Sequence, residues 1–81
     1  MVTADDVRRL LGAGTDAVLV LVEGRVYVIA PAELDTESYR GALQIITRDE
    51  LVRGAGSEEL SERELKEQAA ELDSAVSELG G

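Results

Sequence analysis

The sequence predicts a single α+β domain over residues 1–81. Three mostly antiparallel strands in meander order are joined to a short N-terminal helix, a short helix after the third strand and a long C-terminal helix packed on one sheet face. Residues 17–30, AVLVLVEGRVYVIA, are two apolar runs separated by a turn signal. A Thr or Ser with an acidic residue three positions later, as in a capping box, marks each of the three predicted helix starts. A heptad-like apolar pattern follows the last one.

The first helix is predicted from its start signal. Thr3 is placed as the N-cap, and Asp6 stands at the third helical position, where it completes the capping box. Val2 and Val7 have the spacing of a hydrophobic staple. Gly12 favours an end to this helix after about two turns.

A β-hairpin follows, with strands at residues 17–22 and 25–30. Glu23-Gly24 supplies the glycine that a tight turn requires. A two-residue loop places Val22 opposite Arg25, whereas a three-residue loop with a glycine bulge shifts this register, and the sequence allows both.

The first strand is apolar on both of its faces, so we expect other elements to cover it on both sides. The middle of the strands should be covered most completely. The predicted core residues there are Leu19, Leu21, Val28 and Ile45.

The acidic connection 32–38, AELDTES, is the best candidate for an exposed functional loop, with a single helical turn around 32–35. Tyr39 and Arg40 follow it and are candidates for a small recognition patch, because Tyr and Arg are enriched among binding hot spots. The alternative is that Tyr39 begins a strand and Arg40 is simply exposed.

The third strand is predicted at Tyr39–Thr47, YRGALQIIT, with a bulge at Gly41. Thr47 then serves as an N-cap and Glu50 completes its capping box. Gly54 and Gly56 are expected to end the short helix that starts there.

The long C-terminal helix starts near Ser61, whose capping-box partner is Glu64. It carries an apolar seam with spacings of 4, 3, 4 and 3, and two heptads are too few for an autonomous coiled coil. The seam either packs on the sheet of its own chain or makes a contact between chains. Its residues are Leu65, Ala69, Leu72, Val76 and Leu79.

A homodimer is predicted from the length of this helix and from the first strand. A helix of about 18 residues spans about 27 Å, whereas a six-residue strand spans about 20 Å, so the helix should overhang the sheet. A self-complementary patch closes most simply as a two-fold dimer. The expected contact residues are Ala69, Leu72, Val76 and Leu79.

Composition restricts the chemistry. The chain has no Cys and no His, which excludes disulfides, thiol nucleophiles and imidazole bases, and we expect no cofactor, no metal and no enzymatic activity. The net charge of −9 disfavours direct contact with nucleic acid or an anionic membrane.

The longest apolar run is too short to span a membrane, and a cytoplasmic location is expected. The preference for Arg over Lys is typical of a high-GC bacterium or its phage.

The function predicted from these observations is that of a small acidic, non-enzymatic protein–protein interaction module that forms a homodimer and binds a protein partner. The alternative is an acidic inhibitor or nucleic-acid mimic, in which a Glu-rich C-terminal helix binds a basic partner. The acidic residues in that alternative are Glu58, Glu59, Glu62, Glu64, Glu67, Glu71, Asp73 and Glu78.

Overall fold

The structure is a computed structural model and describes residues 1–78. It contains three α-helices, a three-stranded antiparallel sheet and a short 3-10 helix in the connection after the second strand, which confirms the α+β class. The elements in chain order are α1 (Ala4–Gly12), β1 (Val18–Val22), β2 (Arg25–Ile29), the 3-10 helix (Pro31–Asp35), β3 (Leu43–Thr47), α2 (Arg48–Ala55) and α3 (Glu62–Glu78).

The hairpin has the two-residue loop. Val22 pairs with Arg25 and Val20 with Tyr27. The two loop residues both have positive φ, +50° at Glu23 and +80° at Gly24, as in a type I′ turn. Glycine adopts this backbone without strain, whereas a glutamate rarely does.

The strand order is β2-β1-β3, so the predicted meander is wrong in this respect. In a meander the second strand lies in the middle, but here β3 pairs with β1. The connection from β2 to β3 therefore crosses from one edge of the sheet to the other. The physical reason lies in β1, whose residues are apolar on both faces. The centre of the sheet is where a strand can be covered on both faces and paired along both edges.

The third strand is shorter than predicted, because it begins at Leu43 and not at Tyr39. Gly41 does not form the predicted bulge. It lies in a β-turn, closed by a 3.0 Å hydrogen bond from the Ala42 N–H to the Tyr39 carbonyl, and its φ of +84° is that of a type II turn. The bulge falls instead at Ile45, since Leu19 pairs with Ile46 while Val20 pairs with Gln44.

The main core lies between the helices and one face of the sheet. Leu19 is fully buried there, as predicted. Leu21, Val28 and Ile45 are only half-buried at the margin of the same cluster, so the prediction of full burial was wrong for them. Val28 and Ile45 stand on the two edge strands, where one side lacks a neighbouring strand.

The second face of β1 is covered by the connection that follows β2. Val18, Val20 and Ile29 form a separate buried cluster, against which Leu34 and Tyr39 pack. The connection predicted as an exposed functional loop therefore also completes the fold. One chain covers both faces of its apolar central strand.

The predicted capping devices are present at all three helix starts. The hydroxyl oxygens of Thr3 and Thr47 accept the backbone N–H of Asp6 and Glu50, and these acids accept the N–H of the capping residues. At α3, the Ser61 N–H donates to Glu64 Oε1 at 3.0 Å, and the Glu64 N–H donates to Ser61 Oγ at 3.2 Å.

Candidate functional site

The apolar seam of α3 faces its own chain. Ala69, Leu72 and Val76 are at most 9% exposed, and they belong to the main core, where α3 packs chiefly along α1. Leu79 was also predicted for the contact and lies outside the described residues. The three described residues fill the interior of the chain, so the seam does not present them as a surface for a second chain.

The opposite face of α3 carries an acidic stripe, which we define as Glu64, Glu67, Glu71 and Glu78. All four side chains are exposed. Their spacings of 3, 4 and 7 place them on one side of a helix, directed away from the buried seam. Within the described chain one cation pairs with the stripe, through Arg63 Nε at 3.2 Å from Glu67 Oε1.

The remaining acids of the predicted charged helix do not join this stripe. Glu58 and Glu59 precede α3, and Glu58 pairs with Arg48 at 3.5 Å. Glu62 pairs with Arg8 of α1. Asp73 Oδ1 accepts the backbone N–H of Val2 at 2.9 Å, which attaches the start of the chain to α3. The structure therefore assigns half of the eight predicted acids to the stripe.

Among the described residues, two carboxyl groups have shifted pKa values, and both are in capping boxes. The backbone N–H and the hydroxyl of Ser61 lower the pKa of Glu64 below its ordinary value. The corresponding groups of Thr47 lower the pKa of Glu50, with a smaller contribution from Arg53. Hydrogen bonds to the ionised form hold both groups as carboxylates near neutral pH, whereas a carboxyl acting as a general acid needs a raised pKa.

Tyr39 and Arg40 lie in different environments. Tyr39 is half-buried, and its ring meets that of Tyr27 edge to face, with centroids 5.9 Å apart. Arg40 is exposed in the turn that follows. Tyr39 thus helps to hold the connection on the sheet, and the aromatic side chain that it contacts there is Tyr27, which is 37% exposed. Sequence reasoning had placed Tyr27 only within a strand.

Arg48 is the polar residue that sequence reasoning missed. Its Nε donates to the Leu11 carbonyl at the end of α1 at 3.0 Å, and its backbone N–H donates to the Ala17 carbonyl at 2.9 Å. The side chain is only 13% exposed. The available signal was its position as the first residue after a predicted N-cap, which does not distinguish a tertiary contact from an exposed helix start.

Within residues 1–78, no three acidic side chains converge to hold a metal ion. The same residues contain no helix that is both long and apolar enough to cross a membrane. Comparisons with protein-family models, curated proteins and solved structures find no match to this chain.

Proposed function

We propose that this protein is a non-enzymatic binding module that docks on a basic protein partner through the acidic stripe of α3. The observation that carries the proposal is the division of α3 into two faces. Its apolar seam is used by the core, and its outer face exposes Glu64, Glu67, Glu71 and Glu78 with a single paired cation among the described residues.

The stripe opposes the stability of its own helix. Glu64 and Glu67 are three residues apart, and Glu67 and Glu71 are four residues apart, so their charges are neighbours on the helix surface. Like charges at these spacings each cost about 0.2–0.5 kcal/mol. A basic partner would remove this repulsion on binding, and the net charge of −9 would attract it over a longer range.

The contacts of the acidic residues support a binding role over catalysis. Asp6, Glu50 and Glu64 complete capping boxes, and Asp73 accepts a backbone N–H. These carboxylates have structural partners that explain their positions. All the buried residues among those described are apolar, so the polar chemistry of this part of the chain lies at its surface.

The test measures binding of a fluorescent oligolysine peptide as the salt concentration rises. The dissociation constant should increase steeply between about 0.1 M and about 1 M salt, over which the screening length falls from about 10 Å to about 3 Å. A stripe variant carrying Glu67→Gln, Glu71→Gln and Glu78→Gln should lose most of the binding. Glu64 is kept, because it caps the helix.

A matched control removes three negative charges elsewhere, through Asp16→Asn, Glu23→Gln and Glu37→Gln, at exposed positions outside the helices and strands. This control should bind nearly as well as the unaltered chain. Equal losses in the two triple variants would mean that the peptide responds to net charge alone, and the stripe would then not be the docking site. Binding that is insensitive to salt would contradict the proposal in its entirety.

A further inference from the structure

We propose that the outer edge of β2 pairs antiparallel with β2 of a second copy, which gives a six-stranded sheet across a two-fold axis. This inference relocates the predicted homodimer contact and goes beyond the proposed binding to a basic partner, because β2 and the acidic stripe are on different elements. The argument starts from the two edges of the sheet.

The two edge strands, β2 and β3, are not equally suited to pairing with another strand. The bulge at Ile45 interrupts the ladder of β3, and bulges of this kind twist an edge away from further pairing. In contrast, β2 pairs with β1 over five residues without an irregularity. It contains no proline, and its one charged residue is Arg25 at its beginning. An edge of this kind accepts another strand.

The positions available for pairing follow from the hairpin register. Val22 and Arg25 flank the two-residue loop and form a hydrogen-bonded pair, so Tyr27 and Ile29 also bond towards β1. The N–H and C=O groups of Val26 and Val28 are then directed outward. In the described chain, neither residue makes a backbone hydrogen bond outside the sheet.

The residues beyond the two ends of β2 are not available to extend this pairing. The Ala30 N–H donates to Glu33 Oε1 at 3.3 Å, and its carbonyl accepts the Glu33 N–H at 2.9 Å. At the other end, the φ of +80° at Gly24 takes the chain out of the extended conformation. The two-fold register that uses every outward group of β2 therefore pairs Val26 with Val28 of the second copy, in both directions.

In this register, the sheet face that is covered by the connection after β2 becomes self-complementary. Tyr27 lies on the axis opposite Tyr27 of the second copy, where the two rings extend the existing aromatic pair with Tyr39. Arg25 falls opposite the other copy's Ile29, next to the 3-10 helix that carries Glu33 and Asp35. Within the described residues, these three charged side chains have no ion pair in their own chain. Two opposite-charge contacts thus form by symmetry.

The register is tested by single-cysteine variants, since the chain has no cysteine of its own. Facing residues that are not hydrogen-bonded to each other have Cα atoms about 4.5 Å apart, within disulfide range, so Tyr27→Cys should cross-link under mild oxidation. Arg25→Cys is the register control. In this register residue 25 faces residue 29 of the second copy, so four residues of extended chain place the Cα atoms of the two introduced cysteines about 13 Å apart. Equal cross-linking of the two variants would overturn the register.

The association itself is tested by sedimentation equilibrium at high micromolar concentration. The unaltered chain should show twice its mass of 8.6 kDa. Arg25→Glu should weaken the dimer about tenfold, because it reverses two attractive contacts between the copies. Arg63→Glu, the same charge change on the outer face of α3, should have little effect. A single-chain mass, or equal weakening by both variants, would overturn the proposal, while binding of oligolysine through the stripe would be unaffected.

Discussion

Replacing Arg48 by methionine removes the guanidinium that joins the end of α1 to the start of α2, while it retains an unbranched side chain that matches the arginine stem up to Nε. The two residues have nearly equal helix propensities, so α2 itself is not weakened. The variant therefore removes the 3.0 Å hydrogen bond from Arg48 Nε to the Leu11 carbonyl, together with the ion pair between Arg48 and Glu58.

The expected cost follows from the burial of this contact. A hydrogen bond with a charged partner contributes about 1.5–3 kcal/mol, and its loss leaves the partly buried Leu11 carbonyl without this donor. The ion pair with Glu58 adds little, because it is 3.5 Å long and the glutamate is 67% exposed. We expect Arg48→Met to lower the free energy of unfolding by about 2 kcal/mol.

A urea titration followed by far-ultraviolet circular dichroism measures this loss, with an unchanged m value as evidence of an unaltered fold. Arg53→Met is the matched control, because that side chain is 79% exposed and, among the described residues, forms an ion pair only with Asp49 of its own helix. It should cost less than about 0.5 kcal/mol. Equal losses at Arg48 and Arg53 would refute the tertiary role of Arg48.

Four further predictions use the same titration or its spectra. Thr47→Ala and Ser61→Ala should each cost about 1 kcal/mol, because a helix N–H loses its partner, and unchanged stability would contradict the capping role. Because folding lowers the pKa of Glu50, its stabilising effect is present above the unfolded pKa and is lost as the pH falls through the folded pKa. Glu50→Gln should therefore make stability less dependent on pH in acid, and an unchanged slope would count against this. Leu72→Asp should abolish the helical spectrum, since it places a charge in the core; a folded variant would mean that this side chain can face outward. Glu23→Asn should raise stability by about 0.5 kcal/mol, because asparagine tolerates a φ of +50° better, and a loss would indicate a contact made by the glutamate.

Elements with local signals could be predicted from the sequence. Thr3, Thr47 and Ser61 were identified as caps because the N-cap and its acidic partner are three residues apart and satisfy each other without the rest of the chain. The hairpin was predictable for the same reason, since its glycine turn lies between two apolar runs, although the loop length stayed open. All four acids of the stripe were predicted, but they were named together with four others, of which Glu58, Glu62 and Asp73 have partners elsewhere in the chain and Glu59 precedes α3.

Which surfaces meet could be seen only in the folded chain. An apolar pattern shows that a face is buried, but hydrophobic burial is not directional and does not identify what covers the face. The second face of β1 could have been covered by a second chain, and it is covered by Leu34 and Tyr39 of the connection. The seam of α3 had the same ambiguity, which packing along α1 resolved. The position of β3 beside β1 and the tertiary bond of Arg48 depend on residues distant in the sequence, so no local spacing could reveal them.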